Sequence, residues 1–240
     1  FVLFSSSFSA RVQHISHDVD LAVLAVVDKN FFSNIPVVEL AAFEPHLQAE
    51  VLVAGYPLGG DSISITKGIV SRIEAGFYTE SLDMLTIQID AAINSGNSGG
   101  PVFNRKNEII GVSFSGLDNA DNIGYIIPRG IVSHFLESLK RFGKFDVCSL
   151  ALEFQFMENE SLRRLKKLSA EQDGVLVTFV DPTSPCAGVL APGDVLMKID
   201  GIQIAGDGTV KWRKRERVFF ATLIQTKFAG DQCEIHALRN

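Results

Sequence analysis

The sequence predicts a mainly β protein with two domains. Its 240 residues correspond to one or two domains of ordinary size. Twenty glycines and eighteen phenylalanines, together with many Val and Ile residues, favour a β-rich chain with frequent tight turns. Residues 86–92 alternate apolar and polar side chains, which is the pattern of a half-buried strand. We therefore expect short strands joined by turns rather than a helical fold.

Apolar runs predict where the first domain begins its strands and where it ends. Residues 20–27 form a short apolar run that is typical of a buried strand. Residues 129–139 place their large apolar side chains on one face, as a helix does, and Gly143 is a suitable stop signal. We therefore place a domain boundary near residues 141–148, between a first domain over residues 1–143 and a second over residues 148–240.

Charge and composition exclude several classes of protein. The net charge of −6 argues against general nucleic-acid binding, which requires a basic surface. No apolar run approaches the roughly 18 residues of a membrane helix, so we expect no membrane span. The three cysteines, Cys148, Cys186 and Cys233, are widely spaced and suggest neither a disulfide framework nor a metal site. No cofactor and no metal is implied.

The octet of residues 94–101, Asn-Ser-Gly-Asn-Ser-Gly-Gly-Pro, is the strongest functional signal in the chain. Ser98, a small nucleophile, stands between Gly96 and the pair Gly99–Gly100. A tight turn of this composition can direct several backbone N–H groups at one point, which an oxyanion hole requires. A glycine-flanked serine is more often a simple β-turn, so the octet acquires meaning from the motifs around it.

Five motifs of one family occur in order along the chain. They are residues 55–60, 66–71, 90–94, 96–101 and 122–128. Together they resemble the trypsin-like serine proteases of the Deg/HtrA family, and most of all the plant-type Deg proteases, over nearly all of the chain. The resemblance implies a trypsin-like double β-barrel in the first domain. It also implies an ATP-independent serine endopeptidase (hydrolase) that acts on unfolded or damaged proteins in protein quality control.

The resemblance assigns roles to individual residues. Ser98 would be the nucleophile, and Asp20 would orient the catalytic histidine. Asp18 is a weaker candidate for this acid, and Asp20 could also simply end a turn before its strand. The N–H groups of Gly96, Asn97 and Ser98 would form the oxyanion hole. A specificity pocket for small or medium aliphatic residues would be lined by Ile93, Asn122, Ile123, Gly124, Tyr125 and Ile126.

The catalytic histidine is the missing element. In the family it lies upstream of the aspartate, and the sequence before Asp20 contains no such segment. His17 is three residues from Asp20 in an extended chain, where the two side chains face opposite ways. His14 lies about 20 Å away along a strand. We therefore expect an N-terminally truncated protease whose first barrel is incomplete, whose histidine precedes Phe1, and which is inactive by itself.

The second domain, residues 149–240, resembles a PDZ domain of the Deg type. Residues 174–177 predict a strand, residues 184–190 a short helix, and residues 192–201 a turn and strand closed by an Asp-Gly hairpin. PDZ domains bind peptides by adding a strand to an exposed edge. That edge is predicted at Leu150, Ala151, Leu152, Glu153 and Phe154, beside a helix near residues 218–224. The family has a glycine where Ala151 stands, and a positive φ there would cost about 1 kcal/mol.

Several functional alternatives stay open at this point. The basic run of residues 211–217 is read as a solvated loop leading into a helix, although a nuclear signal or a patch for an acidic partner has the same composition. The expected partners are unfolded polypeptides and C-terminal or extended peptides, and the resemblance implies a homo-oligomer, a trimer or larger. It implies an organellar (chloroplast or mitochondrial) or nuclear location. The rival functions are a catalytically inactive pseudoprotease that binds unfolded chains and a PDZ-mediated adaptor.

Overall fold

The computed structural model describes residues 8–57, 62–79, 82–116, 123–214 and 216–239. The chain divides into two compact units, Phe1–Phe145 and Asp146–Asn240. Strands dominate both, so the expected mainly β fold is confirmed. The described residues do not include Gly59, Gly60 and Asn122 of the family motifs, nor Arg215 of the basic run.

The first unit is built around a closed antiparallel barrel. Six strands form it in the order β3-β4-β5-β8-β7-β6. They are β3 (Glu50–Gly55), β4 (Ser64–Thr79), β5 (Leu82–Ile89), β6 (Pro101–Phe103), β7 (Ile109–Gly116) and β8 (Gly124–Pro128). Their inward side chains form a dry core because Val and Ile alternate with outward residues; it includes Val51, Val53, Val70, Ile87, Ile89, Val102, Ile110 and Ile126.

A two-stranded sheet precedes this barrel. β1 (Ala10–Ser16) pairs antiparallel with β2 (Leu21–Val26), and a 3-10 turn follows at Phe31–Asn34. Large apolar side chains on this pair remain exposed, among them Val12 and Leu24, which lie opposite each other. In the described part of the first unit, strands β3 to β8 form a closed barrel, whereas β1 and β2 form only a two-stranded sheet.

The barrel is followed by α1 (Arg129–Phe142), as the apolar stripe of residues 129–139 predicts. Ile131 and Phe135 on that stripe are buried. The helix ends at Gly143, whose φ of 71° is left-handed and whose N–H donates to the Leu139 carbonyl. The predicted glycine stop is thus confirmed. None of the helices in the described part of the chain is long and apolar enough to cross a membrane.

The second unit contains a five-stranded sheet and a separate hairpin. The sheet has the order β12-β11-β10-β9, with β15 also pairing with β11, and the hairpin joins β13 to β14. The strands are β9 (Leu152–Gln155), β10 (Val175–Val180), β11 (Val195–Ile199), β12 (Ile202–Gln203), β13 (Thr209–Arg213), β14 (Glu216–Phe219) and β15 (Ile235–Leu238); the helices are α2 (Glu160–Leu165) and α3 (Thr222–Gln225).

Two details of this unit differ from the sequence prediction. The short helix predicted at residues 184–190 is a series of turns, because the Ser184 hydroxyl accepts the Cys186 N–H and Gly188 is left-handed (φ 79°). The loop predicted at residues 211–217 is the β13–β14 hairpin, since Val210 and Val218 face inward and are buried. The helix expected from residue 218 consequently begins only at Thr222.

Candidate active site

The candidate nucleophile Ser98 lies in a tight turn between two strands of the barrel. Residues 95–99 form this turn between the end of β5 and the start of β6. Gly96 (φ 101°) and Gly99 (φ 82°) have left-handed backbone conformations that other residues rarely adopt. Ser98 is exposed, and among the described residues its hydroxyl has no hydrogen-bond partner. The two glycines thus shape a turn that presents this hydroxyl to solvent.

Two backbone N–H groups of the turn remain available to an anion. The sequence predicts three donors, on Gly96, Asn97 and Ser98. The Asn97 N–H already donates to the Asn94 carbonyl at 2.9 Å and closes the turn. Among the described residues, the N–H groups of Gly96 and Ser98 have no acceptor. The candidate oxyanion donors in this conformation are therefore two.

The turn packs closely against the end of β3. A Cβ atom added to Gly100 would lie 2.2 Å from the carbonyl oxygen of Ala54, and one added to Gly55 would lie 2.6 Å from Asn97 Oδ1. Glycine is required at both positions because no side chain fits such approaches. Asn97 is 1% exposed, and neither polar atom of its amide has a partner among the described residues. An unpaired buried amide of this kind costs roughly 1–3 kcal/mol.

Ser113, in β7, holds the turn from the other side. Its backbone carbonyl accepts the Gly99 N–H at 2.7 Å, and its hydroxyl accepts the Gly100 N–H at 3.1 Å. The same hydroxyl lies within donating distance of the Asn97 carbonyl and, at 3.0 Å, of the Gly100 carbonyl. Ser113 is 1% exposed. The sequence analysis does not identify this residue, although a serine at an inward position of an alternating strand was the available signal.

The candidate acid, Asp20, ends the turn that joins β1 to β2. The strand itself begins one residue later, at Leu21. Asp20 is exposed and has a φ of 49°, while its neighbour Val19 is completely buried. Aspartate is among the residues that accept this left-handed conformation most readily. The buried Val19 and the paired strand on either side fix the backbone that carries the carboxylate.

The five histidines are spread over both units and make ordinary contacts. His14 is half-buried in β1, whereas His17 and His46 are exposed. The His134 ring meets the Phe145 ring edge-on at 5.7 Å between centroids. His236 Nε2 lies 2.7 Å from Glu234 Oε1. None of these contacts involves Ser98.

Two of the residues predicted for the specificity pocket meet in the structure. A Cβ atom on Gly124 would lie 2.7 Å from Ile93 Cδ1, so the isoleucine side chain lies directly over this glycine. Ile123 and Tyr125 are half-buried on either side of Gly124. Ile126 is completely buried among the core residues of the barrel, so its side chain is not available to a pocket. The remaining residue, Asn122, lies outside the described residues.

In the second unit, the predicted peptide-binding segment forms an edge strand. β9 pairs with β10 on one side, and in the described part of the unit no strand pairs with its other side. Ala151, just before β9, has a φ of 46°, so the position does require the left-handed conformation. Its N–H donates to the Ser149 hydroxyl at 3.0 Å. Leu150 lines a cavity of about 490 Å³ together with Ile224 and Phe228.

Several known proteins are similar to this chain. Residues 5–112 match the family of the trypsin-like peptidase domain. The chloroplastic Protease Do-like 2 of Arabidopsis thaliana is 47% identical over 226 residues, which cover 92% of this chain and 37% of that protein. The mitochondrial Protease Do-like 4 of the same plant is 38% identical over 237 residues, covering 98% and 45%. This chain therefore spans less than half the length of either relative.

A solved structure is also similar. The structure of the HtrA-type protease AlgW with a decapeptide aligns with a TM-score of 0.70 and 27% identity, covering 97% of this chain and 68% of that one. Its similarity extends across both units of the chain, and the sequence relatives cover the same span. The chain belongs to the Deg/HtrA family of serine proteases and carries a trypsin-like peptidase domain.

Proposed function

We propose that the protein to which this chain belongs is a serine endopeptidase of the Deg/HtrA type that cleaves unfolded or damaged proteins without ATP. The observation that carries the proposal is the turn at Ser98. Its exposed hydroxyl shares the turn with two N–H groups, those of Gly96 and Ser98 itself, that have no acceptor within the described part of the chain. A nucleophile next to preorganised donors is the arrangement that acyl transfer requires.

In this mechanism Ser98 Oγ attacks the carbonyl carbon of a peptide bond. The developing negative charge on the carbonyl oxygen is stabilised by the N–H groups of Gly96 and Ser98. A histidine takes the hydroxyl proton and later gives it to the leaving amine. We place this histidine upstream of residue 1 and assign Asp20 the role of holding it in the required tautomer. The left-handed, well-anchored backbone of Asp20 supports that role.

The contact between Ile93 and Gly124 supports a small apolar specificity pocket. Because an isoleucine lies over the glycine, the lining that the described residues form here is apolar and suits an aliphatic side chain better than a basic one. Ile123 and Tyr125 lie on either side of Gly124 in the sequence, whereas Ile126 belongs to the core. The substrate side chain at the cleavage site is therefore a small or medium aliphatic one. Side chains of this kind become accessible when a protein unfolds.

The second unit acts as a PDZ-like domain that binds substrate segments by strand addition to β9. The left-handed Ala151 and the bond from its N–H to the Ser149 hydroxyl remove one donor from the loop that would hold a terminal carboxylate. Extended internal segments are therefore favoured over free C-termini, because the open edge of β9 still offers backbone groups. AlgW, solved with a bound decapeptide, supports peptide binding in this fold.

The intact protein works as a homo-oligomer, a trimer or larger, in an organelle. The chloroplastic and mitochondrial names of the two Arabidopsis relatives support an organellar location over a nuclear one.

Active-site labelling tests the proposal. A version extended upstream to include the family's histidine segment is treated with a fluorophosphonate, digested and mapped by mass spectrometry. One adduct on Ser98 is expected, and none after Ser98→Ala, with Ser95→Ala as the matched control in the same turn. An extended protein that holds unfolded casein without cleaving it and leaves Ser98 unlabelled would instead be the inactive binder.

A further inference from the structure

The three cysteines of the chain converge on one cavity of the second unit. Cys148, Cys186 and Cys233 are far apart in the sequence, yet all three line the cavity of about 490 Å³ beside Leu150. All three are free thiols. Most of the remaining wall is apolar, with Ile224 and Phe228 among its members. The proposed catalytic chemistry uses none of them, so their convergence needs its own explanation.

Hydrogen bonds next to two of the cysteines hold them at this cavity. The Cys186 N–H donates to the Ser184 hydroxyl at 2.9 Å, and that hydroxyl donates to the Leu150 carbonyl at 2.5 Å. Residue 186 is thereby tied to the segment that leads into β9. A buried side chain tied in this way has a fixed position, since Cys186 is only 5% exposed.

Hydrogen bonds of neighbouring residues also hold Cys233 at the cavity. Its neighbour Glu234 donates its N–H to Asp200 Oδ1 at 2.8 Å, and Lys227 Nζ donates to the Gln232 carbonyl at 3.1 Å. Cys233 is half-exposed, so reagents in solution reach it. Two thiols of the cavity, Cys148 and Cys233, are therefore partly accessible, and the third, Cys186, is buried.

The charges around the thiols distinguish Cys233 from the other two. Burial raises the pKa of all three thiols. At Cys148 the carboxylates of Asp231 and Asp146 raise the pKa further. At Cys233 the carboxylate of Asp200 also raises the pKa, and the ammonium group of Lys227 opposes the rise. The thiolate is the reactive form of cysteine. Of the two partly accessible thiols, Cys233 is the one with a cation beside it. A thiolate at Cys186 is close enough to raise the pKa of Cys233.

We propose that the cavity is a thiol-modification site at which a small-molecule disulfide converts Cys186 and Cys233 into an intramolecular disulfide. The Cys233 thiolate attacks one sulfur of the reagent, forms a mixed disulfide and releases one reagent thiolate. The Cys186 thiolate then attacks the Cys233 sulfur and releases the second. The two protein thiols are oxidised and the reagent is reduced. The two protons of the protein thiols pass through the solvent to the two released thiolates, which leave as thiols.

The new bond would lie at the cavity that Leu150 lines ahead of the β9 edge. A bond between two lining residues reduces the space for an apolar side chain of a bound peptide. This consequence, unlike the disulfide itself, rests on the proposed peptide-binding function. Oxidation is therefore expected to weaken peptide binding at least tenfold, and reduction by dithiothreitol to restore it.

The disulfide is tested on the whole chain without any peptide. The protein is incubated with oxidised glutathione at alkaline pH, free thiols are alkylated, and the intact mass and peptide map are recorded. We expect the loss of two hydrogens and a cross-linked pair of peptides containing residues 186 and 233. Cys148→Ser should still form the bond. Cys186→Ser should stop at a glutathione adduct on Cys233, and Cys233→Ser should form no bond.

Other products of the same reaction overturn the proposal. They are a bond that involves Cys148, stable glutathione adducts in the unsubstituted chain, or three thiols that remain alkylated. Cys186→Ala is the second variant if the serine does not fold, with tryptophan fluorescence as the check on folding. Peptide affinity is measured separately by titrating extended apolar peptides. Equal affinities of the oxidised and reduced forms overturn the effect on binding, whereas no binding by either form counts against the PDZ-like function and leaves the disulfide result intact.

Discussion

Removing the Ser113 hydroxyl should loosen the turn that carries Ser98. The hydroxyl is buried and accepts the Gly100 N–H while lying within donating distance of two carbonyl groups of the turn. Ser113→Ala leaves these buried groups without their partner, which costs about 1–3 kcal/mol. Because the Gly99 N–H bonds to the backbone of Ser113, it is not altered directly by the substitution. Its hydrogen exchange therefore reports how often the turn opens.

The expected acceleration follows from that free energy. A loss of about 1–3 kcal/mol in the local opening free energy corresponds to roughly 5- to 150-fold faster exchange at the Gly99 amide. Ser138→Ala is the matched control, since the Ser138 hydroxyl is buried in the same unit and donates to the Lys144 carbonyl at 2.8 Å, at the end of α1. In a catalytically complete protein, Ser113→Ala should also lower kcat about 10- to 100-fold.

The reasoning is refuted if Ser113→Ala leaves exchange at the Gly99 amide unchanged. It is equally refuted if Ser138→Ala accelerates that exchange as much, because the effect would then reflect general destabilisation of the unit. Exchange is followed residue by residue because the single tryptophan, Trp212, lies in the second unit and does not report on the first.

Three further predictions concern other positions. Gly100→Ala should destabilise the first unit by about 3 kcal/mol or more, since the added Cβ would collide with the backbone. Gly143→Ala should cost only about 1–2 kcal/mol, because the space around this left-handed glycine is open. Denaturant unfolding measures both effects. Asp194→Asn should destabilise the second unit by about 1.5–3 kcal/mol near neutral pH. The hydrogen bond from Arg239 lowers the pKa of Asp194 below its ordinary 3.8. The stabilisation is therefore present above pH 3.8 and is lost as the pH falls through the lowered pKa. Below that pH, the variant and the parent protein should have the same stability in unfolding monitored by tryptophan fluorescence. Gly124→Ala should shift cleavage towards smaller side chains in a peptide library, and an unchanged preference would remove this glycine from the pocket.

Local sequence signals predicted much of the fold. The apolar stripe and Gly143 define α1, and the Asp200–Gly201 pair forms a two-residue hairpin turn in which both residues have positive φ (48° and 77°). The turns at residues 184–190 were not predictable in this way, because their conformation depends on a hydroxyl that bonds to the distant Leu150 carbonyl. The hairpin of β13 and β14 was not predicted, because the many basic residues of this segment favoured a solvated loop. The alternation of its inward apolar residues, which is typical of a strand, was therefore overlooked.

The candidate site was predictable to a similar extent. The glycine pattern around Ser98 predicts the turn that carries the candidate nucleophile and its left-handed residues. Sequence could not show that the Asn97 N–H is used within the turn or that Ile126 faces the core, because both depend on strand register. Ser113 lies fifteen residues from Ser98 and resembles any other strand serine. Its role arises only from the pairing of β7 with β6.

The most direct test of the proposed function compares peptide cleavage by three versions of the protein. They are the 240-residue chain, a version extended upstream to include the histidine segment of the family, and the extended version with Ser98→Ala. Each is incubated with unfolded casein, and the products are measured over time. The extended version alone is expected to cleave, since losing one member of a triad removes several orders of magnitude of activity. Equal cleavage by the 240-residue chain and its extended version would show that one of the five histidines present here is the base, and cleavage by the Ser98→Ala protein would show that Ser98 is not the nucleophile.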